Sequence, residues 1–153
     1  MVSVLFVCLG NICRSPMAEA IFRDKVKRAN LSDVIRIDSA GTAGWHEGKP
    51  PHEGTRSVLD ARGIDWKGQR ARQVTAEDFA KHQWIIAMDA SNAADLARMY
   101  KGATIRLMLD YHPEKRGADV PDPYYTGNFE EVYELLDTAC EQLLSEIRQT
   151  NNF

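Results

Sequence analysis

Short apolar runs alternate with helix-spaced apolar stripes along this chain. Ser3–Cys8 (SVLFVC) is apolar at nearly every position and predicts a strand buried on both faces. Behind it, Met17, Ile21, Phe22 and Val26 recur at helical spacing, with Ser15 placed to cap that helix and Pro16 to open it. Val34–Ser39 (VIRIDS) predicts a second strand, Trp84–Asp89 (WIIAMD) a third and Thr104–Leu109 (TIRLML) a fourth. Further helices are predicted over about Thr55 to Arg62, stopped by Gly63, and from Thr75, where Asp78 offers the reciprocal half of a capping box. Another runs from Ser91 to about Met99. The last starts near Asn128 and carries Phe129, Val132, Leu136, Cys140, Leu143 and Ile147 on one stripe. Gly41–Thr55 is rich in Gly and Pro and predicts a loop. A second long loop covers the stretch DYHPEKRGADVPDPYYTGN.

Strands alternating with helices imply an α/β fold with a parallel sheet covered on both faces. No linker, repeat or low-complexity stretch divides residues 1–153, so one domain is expected. In such sheets, sites form beyond the carboxyl ends of the strands. Cys8, Ser39 and Asp89 end the first three predicted strands, and so fall where a site is expected.

Bulk composition narrows the classes. Hydrophobic residues are 44% and charged residues 27%, as in ordinary globular proteins. A net charge of −3 gives no sign of nucleic acid or a membrane surface as partner. No apolar run is long enough to span a bilayer, and the N-terminus lacks the basic region of a signal peptide. Three cysteines argue against a disulfide scaffold and for a reducing, cytoplasmic setting, and monomer is the default state.

The chemistry concentrates in VCLGNICRSPM. Cys8 and Cys13 are too few for a closed zinc site, and the four histidines form no HxxxH pair. The more informative spacing is Cys-x5-Arg-Ser, from Cys8 to Arg14 and Ser15. Five intervening residues suffice for one turn of loop around a tetrahedral anion. Backbone N–H groups of Leu9, Gly10, Asn11, Ile12, Cys13 and Arg14 can then point inward. Gly10 permits positive φ and Asn11 tolerates it. The helix that follows favours phosphate at its N-terminus, and Arg14 can grip two phosphate oxygens. The same field favours the thiolate at Cys8, to which Ser15 can donate. An ordinary core cysteine before a helix is the competing reading. Asp122, held between Pro121 and Pro123, is a candidate proton donor. Tyr124 and Tyr125 could line an aromatic slot or form a plain apolar lid.

Together, FVCLGNICRSPMAEAIF, DSAGTAGW, ARQVTAEDF, AMDASN and DPYY resemble the low-molecular-weight protein tyrosine phosphatases, over essentially the whole chain. The resemblance implies a Rossmann-like, doubly wound sheet of four parallel strands. It implies hydrolysis of phosphotyrosine in proteins through a phosphocysteine on Cys8, with Arg14 holding the phosphoryl group. Asp122 would act first as acid and then as base. Asn11 would hold a strained turn with Ser39 in support, and Trp45 would join Tyr124 and Tyr125 in the pocket wall. No metal or other cofactor is implied. Gln69 stands where many members carry a histidine.

Three relatives of this reading differ in function. Protein arginine phosphatases resemble this family but carry threonine where this chain has Ile12, which points here to an aryl phosphate. Thioredoxin-linked arsenate reductases need a cysteine pair in mid-chain, and none lies between Cys13 and Cys140. A non-catalytic phosphate-binding module would need neither Cys8 nor Asp122. Cys13 is either a small loop residue or a thiol that traps oxidised Cys8 as a protective disulfide. Cys140 reads as core packing.

Overall fold

The computed structural model describes all 153 residues. Strand β1 (Val2–Cys8) is buried at every position, as its nearly continuous apolar run requires. It lies inside a four-stranded parallel sheet with β2 (Ile35–Gly41), β3 (Trp84–Ala87) and β4 (Ile105–Leu107), in the order β2-β1-β3-β4. Cys8 pairs with Gly41 and Val7 with Ala87, so β1, β2 and β3 end along one edge.

The two-residue period of β1 feeds two different cores. Val4, Phe6 and Cys8 face a large cluster built with α1 (Arg14–Arg28) and α6 (Phe129–Asn151), where Phe6 meets Phe22 edge-on. Leu5 and Val7 face a smaller one with Ile85, Ala87 and Leu96 of α4 (Ala90–Met99). Helices α2 (Glu53–Asp60), α3 (Ala76–Lys81) and the one-turn α5 (Pro123–Thr126) complete the chain. This is the expected α/β architecture, a parallel sheet with helices on both faces. No helix is long and apolar enough to cross a membrane.

Several boundaries differ from expectation for identifiable reasons. Helix α1 starts at Arg14 with Cys13 at the N-cap, and no side chain caps it. Ser15 is not the cap, because its hydroxyl turns to Cys8 and Asn11 instead. Helix α2 begins at Glu53 rather than Thr55, since the His52 ring accepts from the Gly54 N–H and supplies the cap. Helix α4 is capped by Asp89, which accepts from Asn92 N–H, and not by Ser91. Strand β4 stops at Leu107, and Met108–Tyr111 close into a 3-10 turn that carries Met108 and Leu109 into the core. The second long loop contains α5, with Asp122 as its N-cap. The Thr75–Asp78 capping box is present at α3.

Candidate active site

The loop between β1 and α1 turns back on itself at Asn11, whose φ is 57°. Of the two residues expected to allow positive φ, it is Asn11 and not Gly10 that uses it. Gly10 has another constraint: a Cβ there would lie 2.9 Å from Cδ2 of His46. Asn11 is buried and its side chain is fully engaged. Nδ2 donates to Ser15 Oγ at 2.8 Å and to Ser39 Oγ at 3.0 Å, while Oδ1 accepts from Arg72 N at 3.0 Å. The Ser39 hydroxyl in turn donates to Glu19 Oε1 at 2.6 Å, and Glu19 pairs with Arg23 at the surface. A directed chain of hydrogen bonds thus runs from the loop to the outside of α1.

The loop's peptide planes are oriented by their carbonyls. Cys8 O accepts from Thr42 N, Leu9 O from Ala43 N, Ile12 O from His52 N, and Cys13 O from Thr55 Oγ1. A trans peptide directs its N–H opposite its C=O, so the amides of Leu9, Gly10, Cys13 and Arg14 point the other way. None of the amides from Leu9 to Cys13 donates to a protein acceptor. The backbone therefore presents a concave row of free donors above Cys8, which is what a tetrahedral anion binds.

Cys8 Sγ lies 3.0 Å from Ser15 Oγ. The Ser15 hydroxyl has one proton, and its alternative acceptor, Ala40 O, is more distant at 3.4 Å. With Cys8 as thiolate, the proton belongs on the sulfur side. Arg14 is 2% exposed; Nη1 meets Asp89 Oδ2 at 2.7 Å and Val120 O at 2.9 Å, and Nη2 reaches Asp122 Oδ2 at 3.5 Å. Burial works against the guanidinium's charge, but the Cys8 sulfur, Asp89 and Asp122 outweigh it and raise its pKa. Burial, reinforced by Cys8 and Asp122, pushes the Cys13 thiol up to about 12 against the pull of Arg14.

A cavity of about 240 Å³ opens over this loop. It gathers Cys8, Leu9, Gly10, Ile12, Cys13, Arg14, Trp45, Asp122, Tyr124 and Tyr125. Asn11, Ser15 and Ser39 stand behind the loop and hold it. Trp45, Tyr124 and Tyr125 are largely exposed, at 70%, 53% and 75%. The Tyr124 ring packs against Tyr125 and His52, and His52 stacks on Phe129, so α5 is held to α6 through an aromatic file. Gln69 donates to Pro16 O in the first turn of α1, so Gln69 itself meets the helix, while Arg72 of the same segment reaches the loop through Asn11.

Two contributors escaped the sequence reading. Asp89 appeared only as the end of a strand, and its grip on Arg14 depends on the register between β1 and β3. His46 lines the cavity beside Trp45, and the only hint was its place next to an aromatic in a Gly-rich loop.

Known proteins share both sequence and fold. Residues 3–152 match the family described as low molecular weight phosphotyrosine protein phosphatase. The chain is 56% identical to the low molecular weight protein-tyrosine-phosphatase YfkJ of Bacillus subtilis over 152 residues, 97% of each chain. It superposes on the crystal structure of YfkJ with a TM-score of 0.95, covering 98% of this chain and 96% of that one. It is 43% identical to the protein-tyrosine-phosphatase PtpA of Staphylococcus aureus over 155 residues, 99% of this chain and 97% of PtpA. The crystal structure of DARP, a Drosophila arginine phosphatase, also superposes, with a TM-score of 0.88 at 34% identity, covering 97% of this chain and 98% of that one.

Proposed function

The chain belongs to the low molecular weight phosphotyrosine protein phosphatase family, and on that premise we propose that it hydrolyses phosphotyrosine in proteins through a phosphate ester on Cys8. The observation that carries this reading is that the loop's free amides, the Cys8 thiol and the Arg14 side chain belong to one cavity. Those donors bind three phosphoryl oxygens and leave the phosphorus open to in-line attack from below.

The Cys8 thiolate forms the S–P bond while the P–O bond to tyrosine breaks. Asp122, entering as the acid, gives its proton to the departing tyrosine oxygen. In the second half, Asp122 as carboxylate takes a proton from water, the water oxygen bonds to phosphorus, and the S–P bond breaks. Phosphate leaves with the thiolate restored. Arg14 and the amides carry the charge of both transition states, and Ser15 stabilises the sulfur as leaving group. Asn11 and Ser39 act through the loop, by fixing its turn. Ile12, Trp45, Tyr124 and Tyr125 contact the tyrosine ring.

The reading extends to the whole chain, residues 1–153, working as one domain and as a monomer in the cytoplasm; the three free cysteines fit a reducing setting. Cys13 is proposed to trap Cys8 sulfenic acid as a disulfide, releasing water, since both cysteines line the same cavity. Full recovery of peroxide-treated Cys13→Ser on reduction, equal to wild type, would refute that role.

Phosphoarginine is the second reading, because the fold is shared with the Drosophila arginine phosphatase DARP. Ile12 brings no hydroxyl to the cavity for a guanidinium to use, which favours the aryl phosphate. The experiment is hydrolysis of p-nitrophenyl phosphate. Cys8→Ser removes turnover, and Asp122→Ala slows it by about 10²–10⁴-fold while phosphate still binds. Retained turnover in Cys8→Ser overturns the mechanism.

A further inference from the structure

Beside the catalytic cavity lies an open depression of about 390 Å³, lined by Leu9, Ala43, Trp45, Met99 and the Asp95–Arg98 ion pair. Leu9 and Trp45 line both spaces, so together they form the partition between them. Trp45 is 70% exposed, and Met99, at the end of α4, is 47% exposed. Neither is part of the buried core, so packing within the fold does not account for them. The two charges on the rim neutralise each other through their ion pair. The depression therefore offers apolar surface without net charge, and a flexible Met thioether suits side chains of varied shape.

We propose that this depression receives an apolar side chain of the substrate polypeptide, two residues away from the phosphotyrosine. The proposal rests on the phosphatase reading of the cavity next to it. The spacing follows from the partition. Groups packed on opposite sides of one indole are about 7–8 Å apart, twice a carbon–carbon contact of roughly 3.5–4.0 Å. In an extended chain, residues two apart point the same way and are separated by about 6.5–7 Å. Immediate neighbours point to opposite sides and cannot straddle Trp45. Met99 then acts as a specificity residue that a small aryl phosphate never meets, while Trp45 faces both spaces.

The test compares phosphotyrosine peptides carrying Leu or Gly two residues before or two residues after the phosphotyrosine, with p-nitrophenyl phosphate as the small-substrate control. Wild type is expected to favour Leu at one of these positions by about fivefold in kcat/KM. Met99→Ala is expected to lose most of that preference with turnover of p-nitrophenyl phosphate unchanged. Met99→Glu is expected to transfer the preference to Lys at the same position. A preference for Leu at neither position overturns the proposal, as does one that survives Met99→Ala. So does a Met99→Ala loss that is equal on peptides and p-nitrophenyl phosphate, since that marks a structural role. Failure of the phosphatase reading is separately visible, because wild type would then leave p-nitrophenyl phosphate intact.

Discussion

Asp89 holds Arg14 from behind: its Oδ2 lies 2.7 Å from Nη1, and its Oδ1 caps α4 by accepting from Asn92 N–H. One carboxylate thus ties the Arg14 guanidinium to the start of α4, the helix that follows β3. Asp89→Asn puts an amide N–H against the Arg14 donor or gives up the cap, because Asn has one oxygen for two jobs. We expect kcat/KM to fall by about tenfold or more, with weaker inhibition by inorganic phosphate. Asp89→Ala is expected to lose a further ~1 kcal/mol of stability through the missing cap. Unchanged phosphate inhibition in both variants would show that Asp89 does not aim Arg14.

Asn11 combines a left-handed backbone with three side-chain hydrogen bonds. Asn11→Ala keeps the strain, about 1–2 kcal/mol, and loses the bonds; Asn11→Gly loses the bonds but relieves the strain. Both variants are expected to bind phosphate more weakly than wild type. Asn11→Gly is expected to melt above Asn11→Ala. Equal melting temperatures would remove the strain argument.

His82 is buried, both its ring nitrogens lack hydrogen-bond partners, and Nε2 stands 3.5 Å from Asp78 Oδ1. Burial lowers its pKa despite the opposing pull of Asp78 and Asp38, with Lys81 and Arg72 adding to the lowering. The folded protein therefore binds a proton at His82 more weakly than the unfolded chain, which takes one up below about pH 6.5. Stability from this group is complete above that pH and declines as pH falls towards the lowered folded value. Chemical denaturation between pH 7 and pH 5 reads the slope. His82→Leu is expected to flatten it, and an undiminished slope in that variant would place its origin elsewhere.

Substrate choice is expected to turn on Ile12, 9% exposed and lining the cavity over Cys8. Wild type should hydrolyse phosphotyrosine peptides and leave phosphoarginine nearly untouched, and Ile12→Thr should gain activity on phosphoarginine. Strong phosphoarginine turnover by wild type would reverse the assignment.

The sequence carried the parallel sheet clearly, because β1 and β3 are almost wholly apolar runs and the helices repeat their apolar residues at the right spacing. It also placed Cys8, Arg14 and Asp122 at one end of that sheet, and the structure brings all three to one cavity. Legibility ended where one group chooses between two partners. Ser15 looked like a helix cap, yet the nearby sulfur and Asn11 claim its hydroxyl. His52 looked like a loop residue, yet its ring nitrogen caps α2. The Asp89–Arg14 pair joins residues 75 positions apart, and no local pattern encodes such a contact.

The covalent role of Cys8 is the central claim, and trapping the intermediate tests it most directly. Wild-type protein mixed with p-nitrophenyl phosphate, quenched in acid within the first turnovers and digested, should show one phosphoryl group on the peptide containing Cys8, and Cys8→Ser should show none. Undiminished turnover in Cys8→Ser, or a phosphoryl group carried on any other residue, would contradict the account.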